Sequence, residues 1–333
     1  MKKRITLKDI AQATGFTITT VSHALHNKSD ISDATRERIC KIAEEMGYIT
    51  DTAASSLRSG KTNTISIIVP DISNPHISYQ VKKIEIEAKK KNYSTIILNT
   101  NEDMEIELEA IITSYKKRVD GILICPTQQN TDNIKYIQKL NIPFVLIGRY
   151  FDELDTSYVC CDDVKSGYLA GKHLIENGYK NILYIGTYTY IEASNKRFDG
   201  IQKAISESGE KINLISYNIN PKNEQDESIL PYLNKVNKSF DSMIVFSDML
   251  AFKIINDINL ENATLKKGPI VSFDTIQYHL PLPIKHTSIG MLNNSWAKDA
   301  FKLLYNSMNG IKNPSDKILI DVSLKNFGSE EVF

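Results

Sequence analysis

The stretch Thr6-Leu7-Lys8-Asp9-Ile10-Ala11, followed by Gly15-Phe16-Thr17 and then Thr20-Val21-Ser22-His23, decides how the front of this 333-residue chain is read. Leu7, Ile10, Ala11 and Thr14 fall at i, i+3, i+4, i+7 and share one helix face. Thr6 is an N-cap residue, and Asp9 suits the first turn. Gly15 ends that helix because it tolerates a left-handed backbone. Thr17 caps a second helix that buries Val21, Ala24 and Leu25. Ser32 caps a third, with Ile39, Ile42, Ala43 and Met46 as its apolar stripe and Gly47 as its stop. Three short helices around one core, the first two joined by a tight turn, have the layout of a helix-turn-helix DNA reader. Ile18, Thr19, Ser22 and His23 face outward near the N-terminus of the second helix, the part that enters the major groove. Thr and Ser can bond base edges or phosphates, and Ile18 can pack on a thymine methyl.

Working outward, Gly60-Lys61-Thr62-Asn63 reads as a polar linker, and beyond it strands and helices alternate. Thr64–Val69 is a β-branched strand. Helix Ser78–Lys91, strand Ser94–Leu98, helix Glu105–Lys117, strand Gly121–Cys125, a third helix and strand Phe144–Ile147 follow. After Tyr158–Cys161 the alternation restarts with helix Val164–Asn177, strand Asn181–Ile185, helix Ser194–Ser208 and strand Leu214–Tyr217. Helix Glu224–Leu233, strand Ser242–Phe246, helix Met249–Ile258 and strand Ile270–Phe273 complete the second run. Repeated βαβ units build parallel sheets with helices on both faces. Two such sheets in tandem imply two lobes, with a cleft at the carboxyl ends of their strands. Helix Asn294–Met308 and strand Ile318–Ile320 are expected to cross back to the first lobe. The expected organisation is a headpiece at 1–50, a hinge and linker at 51–60, and an α/β core of two doubly wound parallel-sheet lobes at 61–333. Lobe 1 should take roughly 61–161 and 290–320, and lobe 2 roughly 162–289 and 321–333.

Composition is that of an ordinary soluble protein. Forty Lys+Arg balance forty Asp+Glu, so a global pull on nucleic acid is absent and DNA affinity must be local. Residues 1–60 hold nine Lys/Arg against seven Asp/Glu, with Lys2, Lys3 and Arg4 clustered. The four cysteines, at 40, 125, 160 and 161, lack metal-ligand spacing. Met1-Lys2-Lys3-Arg4 precedes an amphipathic helix instead of a signal-peptide core, and no run approaches the ~20 apolar residues of a membrane span. A reduced, cytoplasmic protein with no membrane partner and no cofactor is expected. Walker, Gly-x-Gly-x-x-Gly and Gly-x-Ser-x-Gly motifs and His-rich metal spacings are missing, which speaks against an enzyme.

Thr6–Ile10, Thr20-Val21-Ser22, Asn27, Thr35-Arg36-Glu37, Gly47-Tyr48, Ala54 and Leu57 fall at fixed offsets. Together they resemble the headpiece of the lactose-repressor family of bacterial transcription regulators. The resemblance runs on through Val69-Pro70-Asp71-Ile72-Ser73-Asn74-Pro75, Arg118-Val119-Asp120-Gly121-Ile122, Leu174–Tyr179, Arg197-Phe198-Asp199-Gly200 and Ser272-Phe273-Asp274. It implies a core like the periplasmic sugar-binding proteins, and a homodimer on a near-palindromic operator. It also implies a small effector, a sugar or sugar phosphate, in the interlobe cleft. The implied DNA-contacting set is Thr6, Thr17, Ile18, Thr19, Thr20, Ser22, His23, Asn27, Ala54, Leu57 and Arg58. Thr52–Ser59 would be a hinge that folds on the operator, capped by Asp51, with Leu57 wedged between base pairs in the minor groove. Thr50, Asp51 and His23 stand where the family usually has Pro, Asn and Arg. His23 would make operator binding more pH-sensitive than Arg.

The resemblance also implies the effector contacts. Arg197 can grip vicinal hydroxyls or a phosphate in a fork. Asp274 directly follows an apolar strand at its ligand-binding end. Asp248 can accept from hydroxyls or cap the following helix. Asp71, His76, Ile77 and Arg149 complete the expected set, although His76 and Ile77 replace aromatics common in the family. Ser247-Asp248 and Gly290-Met291 also depart from the family's usual Asn-Asp and Gln-Pro. The leading expectation is an effector-controlled repressor. A regulator driven by a phosphocarrier-type protein partner, or a sugar-processing enzyme, are the alternatives. No heptad-bearing tail follows the last strand, so a dimer is expected over a tail-mediated tetramer.

Overall fold

The computed structural model describes residues 5–49, 60–219, 229–260, 268–280, 286–291, 296–311 and 316–327. It divides into two compact units, Met1–Thr62 and Asn63–Phe333.

The first unit is the headpiece: α1 (Leu7–Thr14), α2 (Ile18–Leu25) and α3 (Asp33–Glu45). Each helix starts where a hydroxyl cap predicts. At α1 the cap is reciprocal: the Asp9 amide reaches the Thr6 hydroxyl, while the Asp9 carboxylate accepts the Thr6 amide at 2.8 Å. Thr17 Oγ1 accepts the Thr20 amide at 3.1 Å, and Gly15 turns the chain at φ 78°. Ile10, Val21, Ala24, Ile39 and Ala43 form the core, with Phe16, Leu25, Met46 and Tyr48 packed against it. Leu25, Ile42 and Met46, expected inside, are only half-buried because a three-helix unit has little interior.

The second unit holds two six-stranded sheets. The first has the order β11-β5-β4-β3-β1-β2. Its strands are β1 (Thr64–Val69), β2 (Ser94–Asn99), β3 (Gly121–Ile124), β4 (Phe144–Ile147), β5 (Tyr158–Cys161) and β11 (Lys317–Ile320), all parallel. Helices α4 (Pro75–Lys89), α5 (Met104–Lys116) and α6 (Asp132–Leu140) connect them. Ile65, Ile67, Ile68 and Val69 are all buried, as a parallel strand covered on both faces requires.

The second sheet has the order β12-β10-β9-β8-β6-β7. It uses β6 (Asn181–Gly186), β7 (Asn213–Asn218), β8 (Ser242–Val245), β9 (Ile270–Phe273), β10 (Thr287–Gly290) and β12 (Ser323–Asn326). Around it run α7 (Asp163–Glu176), α8 (Glu192–Ser208), α9 (Leu230–Val236) and α10 (Asp248–Leu260). The edge strand β12 is antiparallel to β10. Neither β10 nor β12 was anticipated: Thr-Ser-Ile-Gly is too short to carry a period, and Ser-Leu-Lys-Asn is a mostly exposed edge.

α11 (Trp296–Met308) belongs to lobe 1, where Trp296, Ala297, Phe301 and Leu304 join the core beneath β1 and β3. The chain therefore passes between lobes at β5–α7, between β10 and α11, and between β11 and β12. In both sheets strand order reverses beside the first strand of the lobe, the switch point where open α/β sheets leave a crevice.

Candidate functional site

On the headpiece, α2 offers a mostly polar face. Ile18 is 49% exposed, Thr6, Thr17, Thr19 and Asn27 are exposed, and Thr20, Ser22 and His23 are half-buried. Asn27 takes a left-handed backbone, φ 52°, which Asn tolerates better than most residues. Thr20 Oγ1 lies 2.9 Å from Thr17 Oγ1, so both hydroxyls are engaged locally. His23 Nδ1 lies 2.6 Å from the Asp30 carboxylate, a partner the sequence reading missed. That pairing fixes the ring and directs its other nitrogen away. Ala54, Leu57 and Arg58, with the rest of the expected hinge, lie outside the described residues.

The second unit contains a cavity of about 320 Å³ between its lobes, at the carboxyl ends of both sheets. Asp71, His76, Ile77, Arg149, Arg197 and Asp274 all line it, drawn from positions up to 203 apart in the chain. Glu102, Asp163, Tyr188, Phe246 and Trp296 line it too and were not anticipated.

Arg197 is brought to the cleft by helix packing. A Cβ on Gly167 would lie 1.8 Å from the Arg197 carbonyl oxygen, and one on Gly200 would lie 2.1 Å from the Val164 carbonyl oxygen. Only glycine at both positions lets α7 and α8 approach this closely. Arg197 Nε then donates to Asp163 at 2.7 Å, and Nη1 donates to the Phe246 carbonyl at 2.6 Å. The guanidinium is 4.5 Å from the Phe273 ring centroid and 4.9 Å from that of Phe246. Burial opposes its charge, but Asp163 and Asp274 hold its pKa above the ordinary arginine value. Burial raises the carboxyl pKa of Asp163 and of Asp274, against the pull of Arg197 on both.

Asp274 and Thr275 occupy positive φ, 100° and 51°, at the end of β9. Asp248, expected among the effector contacts, is instead fully buried behind this turn and does not line the cleft. Its carboxylate accepts the Ile276 amide at 2.7 Å and the Ser288 hydroxyl at 2.7 Å, and also engages Ser272 and His286. Asp248 thus pins the turn that presents Asp274, and Ser247 Oγ takes the cap of α10 through the Leu250 amide. Gly290 packs closely under the same turn: a Cβ there would lie 2.8 Å from Thr275 Oγ1.

In lobe 1, Arg149 is locked edge-on to Glu102, with Nη1 to Oε2 at 2.9 Å and Nη2 to Oε1 at 2.6 Å. Nη1 also donates to the Pro126 carbonyl at 3.2 Å. Burial works against the Arg149 charge, and Glu102 outweighs it, so the pKa stands above the ordinary value. Asp71 accepts the Ser73 amide and hydroxyl at 2.8 and 2.7 Å. Asn74 caps α4, placing His76 and Ile77 in its first turn. Cys125 lines the wall as an inert thiol, its pKa pushed up to about 12 by burial.

The lobes touch on two sides of the cleft. Gln128 accepts the Glu192 amide at 3.0 Å, Tyr150 bonds the Glu192 carboxyl, and Lys196 pairs with Asp152 at 3.2 Å. Opposite, the Tyr79 and His279 rings stack at 3.9 Å. Burial, with the Asp163 charge nearby, lifts Glu192 to about 7, and its Oε2 is buried without a partner.

These features agree with two family matches. Residues 6–51 match the profile described as bacterial regulatory proteins, lacI family, and residues 62–275 match periplasmic binding proteins and sugar binding domain of LacI family. The transcriptional regulator RegA of Clostridium saccharobutylicum is 30% identical over 273 residues, 80% of this chain and 82% of its own. DegA of Bacillus subtilis, also a transcriptional regulator, is 32% identical over 212 residues, 63% of either chain and so less than two thirds of its length. The fold matches the crystal structure of the Lac repressor dimer bound to operator and the anti-inducer ONPF, with TM-score 0.81, 18% identity and 98% of each chain covered. These relatives are regulators and not enzymes. With a helix-turn-helix headpiece followed by a two-lobed core open at the carboxyl ends of its strands, the chain belongs to the LacI family of bacterial DNA-binding transcriptional regulators.

Proposed function

We propose that this protein is a cytoplasmic repressor that binds a near-palindromic operator as a homodimer and is controlled by a sugar-class small molecule in the interlobe cleft. The observation that carries this reading is the cleft itself: Arg197 and Asp274 from lobe 2 face Asp71 and Arg149 from lobe 1 across about 320 Å³. That is the size of a small polar ligand's site. A ligand touching both lobes stabilises one lobe arrangement by its differential affinity, and the hinges of a dimer then meet differently on DNA. Thermal melting against sugars, sugar phosphates and purines, followed by operator-release titration with any hit, tests the input. A hit that raises the melting temperature and shifts operator affinity supports the reading. A panel with no shift counts against small-molecule control.

On the output side, Leu57 is proposed as the minor-groove wedge. Leu57→Ala should weaken specific operator binding by about 10-fold or more, with little change on nonspecific DNA. Equal losses on both DNAs would remove the wedge assignment.

A further inference from the structure

The cleft's charges are already committed. Among the described residues lining it there are two arginines and no lysine, and each arginine is ion-paired within its own lobe. Arg149 presents its fork to Glu102 and not to the open space, because the two carboxylate oxygens occupy Nη1 and Nη2 together. This pairing is built in: Asn101 and Glu102 both take left-handed backbone, φ 52° and 55°, at the end of β2. Two consecutive non-glycine residues in that region are uncommon, and such conformations persist only where the surroundings hold them. Here they turn the Glu102 carboxyl onto Arg149. Arg197 spends Nε on Asp163 and one Nη1 hydrogen on a backbone carbonyl, which leaves its second Nη1 hydrogen and the two on Nη2 to donate, from a guanidinium already neutralised by Asp163. Asp71 and Asp274 add two more carboxyls, so four carboxyls, with Glu102 and Asp163, line the cleft against two guanidiniums and the His76 ring, and Asp274 shares the pull of His76 and Arg197.

We propose that the cleft selects an uncharged polyhydroxy ligand, a neutral sugar or polyol, over its phosphorylated counterpart. A phosphate dianion needs unpaired cationic donors or several free backbone amides. This lining offers it neutralised guanidiniums beside carboxylates, and like charges brought together repel. Hydroxyl groups suit the same lining well, since each can donate to a carboxylate and accept from the remaining Arg197 N–H groups. Trp296 and Tyr188 supply the apolar walls against which sugar C–H faces pack. The inference rests on the small-molecule control proposed above and narrows its ligand class.

The test is calorimetric titration of the full chain with matched pairs: D-glucose and glucose 6-phosphate, D-fructose and fructose 1-phosphate, D-ribose and ribose 5-phosphate, with neutral disaccharides added. The expected result is binding of at least one neutral sugar, with any phosphorylated partner about tenfold weaker or worse. In Glu102→Gln, which frees the Arg149 charge while keeping an acceptor beside it, the ratio should move toward the phosphate by about tenfold. A phosphorylated member that binds the natural chain more tightly than its neutral partner overturns the inference and leaves small-molecule control standing. Binding by no member of any pair overturns small-molecule control itself, and the selectivity with it. If Glu102→Gln does not fold, the ratio measured on the natural chain decides alone.

Discussion

Each lobe carries one arginine to the cleft and neutralises it with a carboxylate of its own, yet the two pairs are built differently. Arg197 and Asp163 are 10% and 5% exposed in their side chains, and glycine-tight packing of two helices brings them together. Arg149 and Glu102 are 14% and 22% exposed, and a left-handed turn at a strand end brings them together. Arg149 gives one hydrogen from each Nη to Glu102 and another from Nη1 to the Pro126 carbonyl. Arg197 lies between two phenylalanine rings and keeps part of its fork free. The same residue type therefore serves as a wall in lobe 1 and as a donor in lobe 2, and the difference comes from the partner's approach direction.

Removing each arginine is the sharpest way to break the comparison. Arg197→Met leaves Asp163 buried and unpaired and should lower stability by about 3–5 kcal/mol. Arg149→Met leaves a carboxylate that water partly reaches and should cost about 1–2 kcal/mol. Denaturant unfolding of both variants measures the gap, and equal losses would erase the distinction between the two pairs.

Glu192 shows what burial does when no arginine answers it. It sits in the first turn of α8, near Asp163, and stands at about 7 instead of 4.5. A carboxyl raised in the folded state contributes fully below its unfolded value. That contribution is lost as pH rises through the folded one. Stability should therefore fall between about pH 4.5 and 7, by about 3 kcal/mol. Glu192→Gln should remove that loss, making the variant more stable than the natural chain at pH 8 and similar at pH 4.5. A pH-independent difference in unfolding free energy would contradict the assignment.

The smallest effect contrasts the cleft with the headpiece. Thr17 is exposed and its hydroxyl bonds only to Thr20, at the amide and the hydroxyl, so Thr17→Ala should cost only about 1 kcal/mol of headpiece stability. Thermal melting of the full chain, followed by a headpiece-specific readout such as amide hydrogen exchange across α2, would detect it. A loss as large as that of Arg197→Met would mean that the cap is not local.

The headpiece was legible because its signals are local. Thr6, Thr17 and Ser32 each satisfy an amide three residues on, and buried pairs such as Val21 with Ala24 and Ile39 with Ala43 fall at the helix period. Strands β1, β4, β5 and β9 were readable from β-branched or continuous apolar runs bounded by polar residues. Family resemblance placed Arg197, Asp274, Asp71 and Arg149 near the cleft, and they line it. It also placed Asp248 there, and the fold buries that residue beneath the β9 turn.

What the sequence determined by itself was the order of the elements other than β10 and β12, because capping, turn chemistry and hydrophobic period act over a few residues. Only the tertiary structure decided which charges meet. Glu102 and Arg149 are 47 positions apart, Asp163 and Arg197 34, Asp248 and Ser288 40. No local rule couples such distances. The pairings arise when strands distant in the chain join one sheet, α7 closes on α8, and burial makes each unpaired charge too costly to keep.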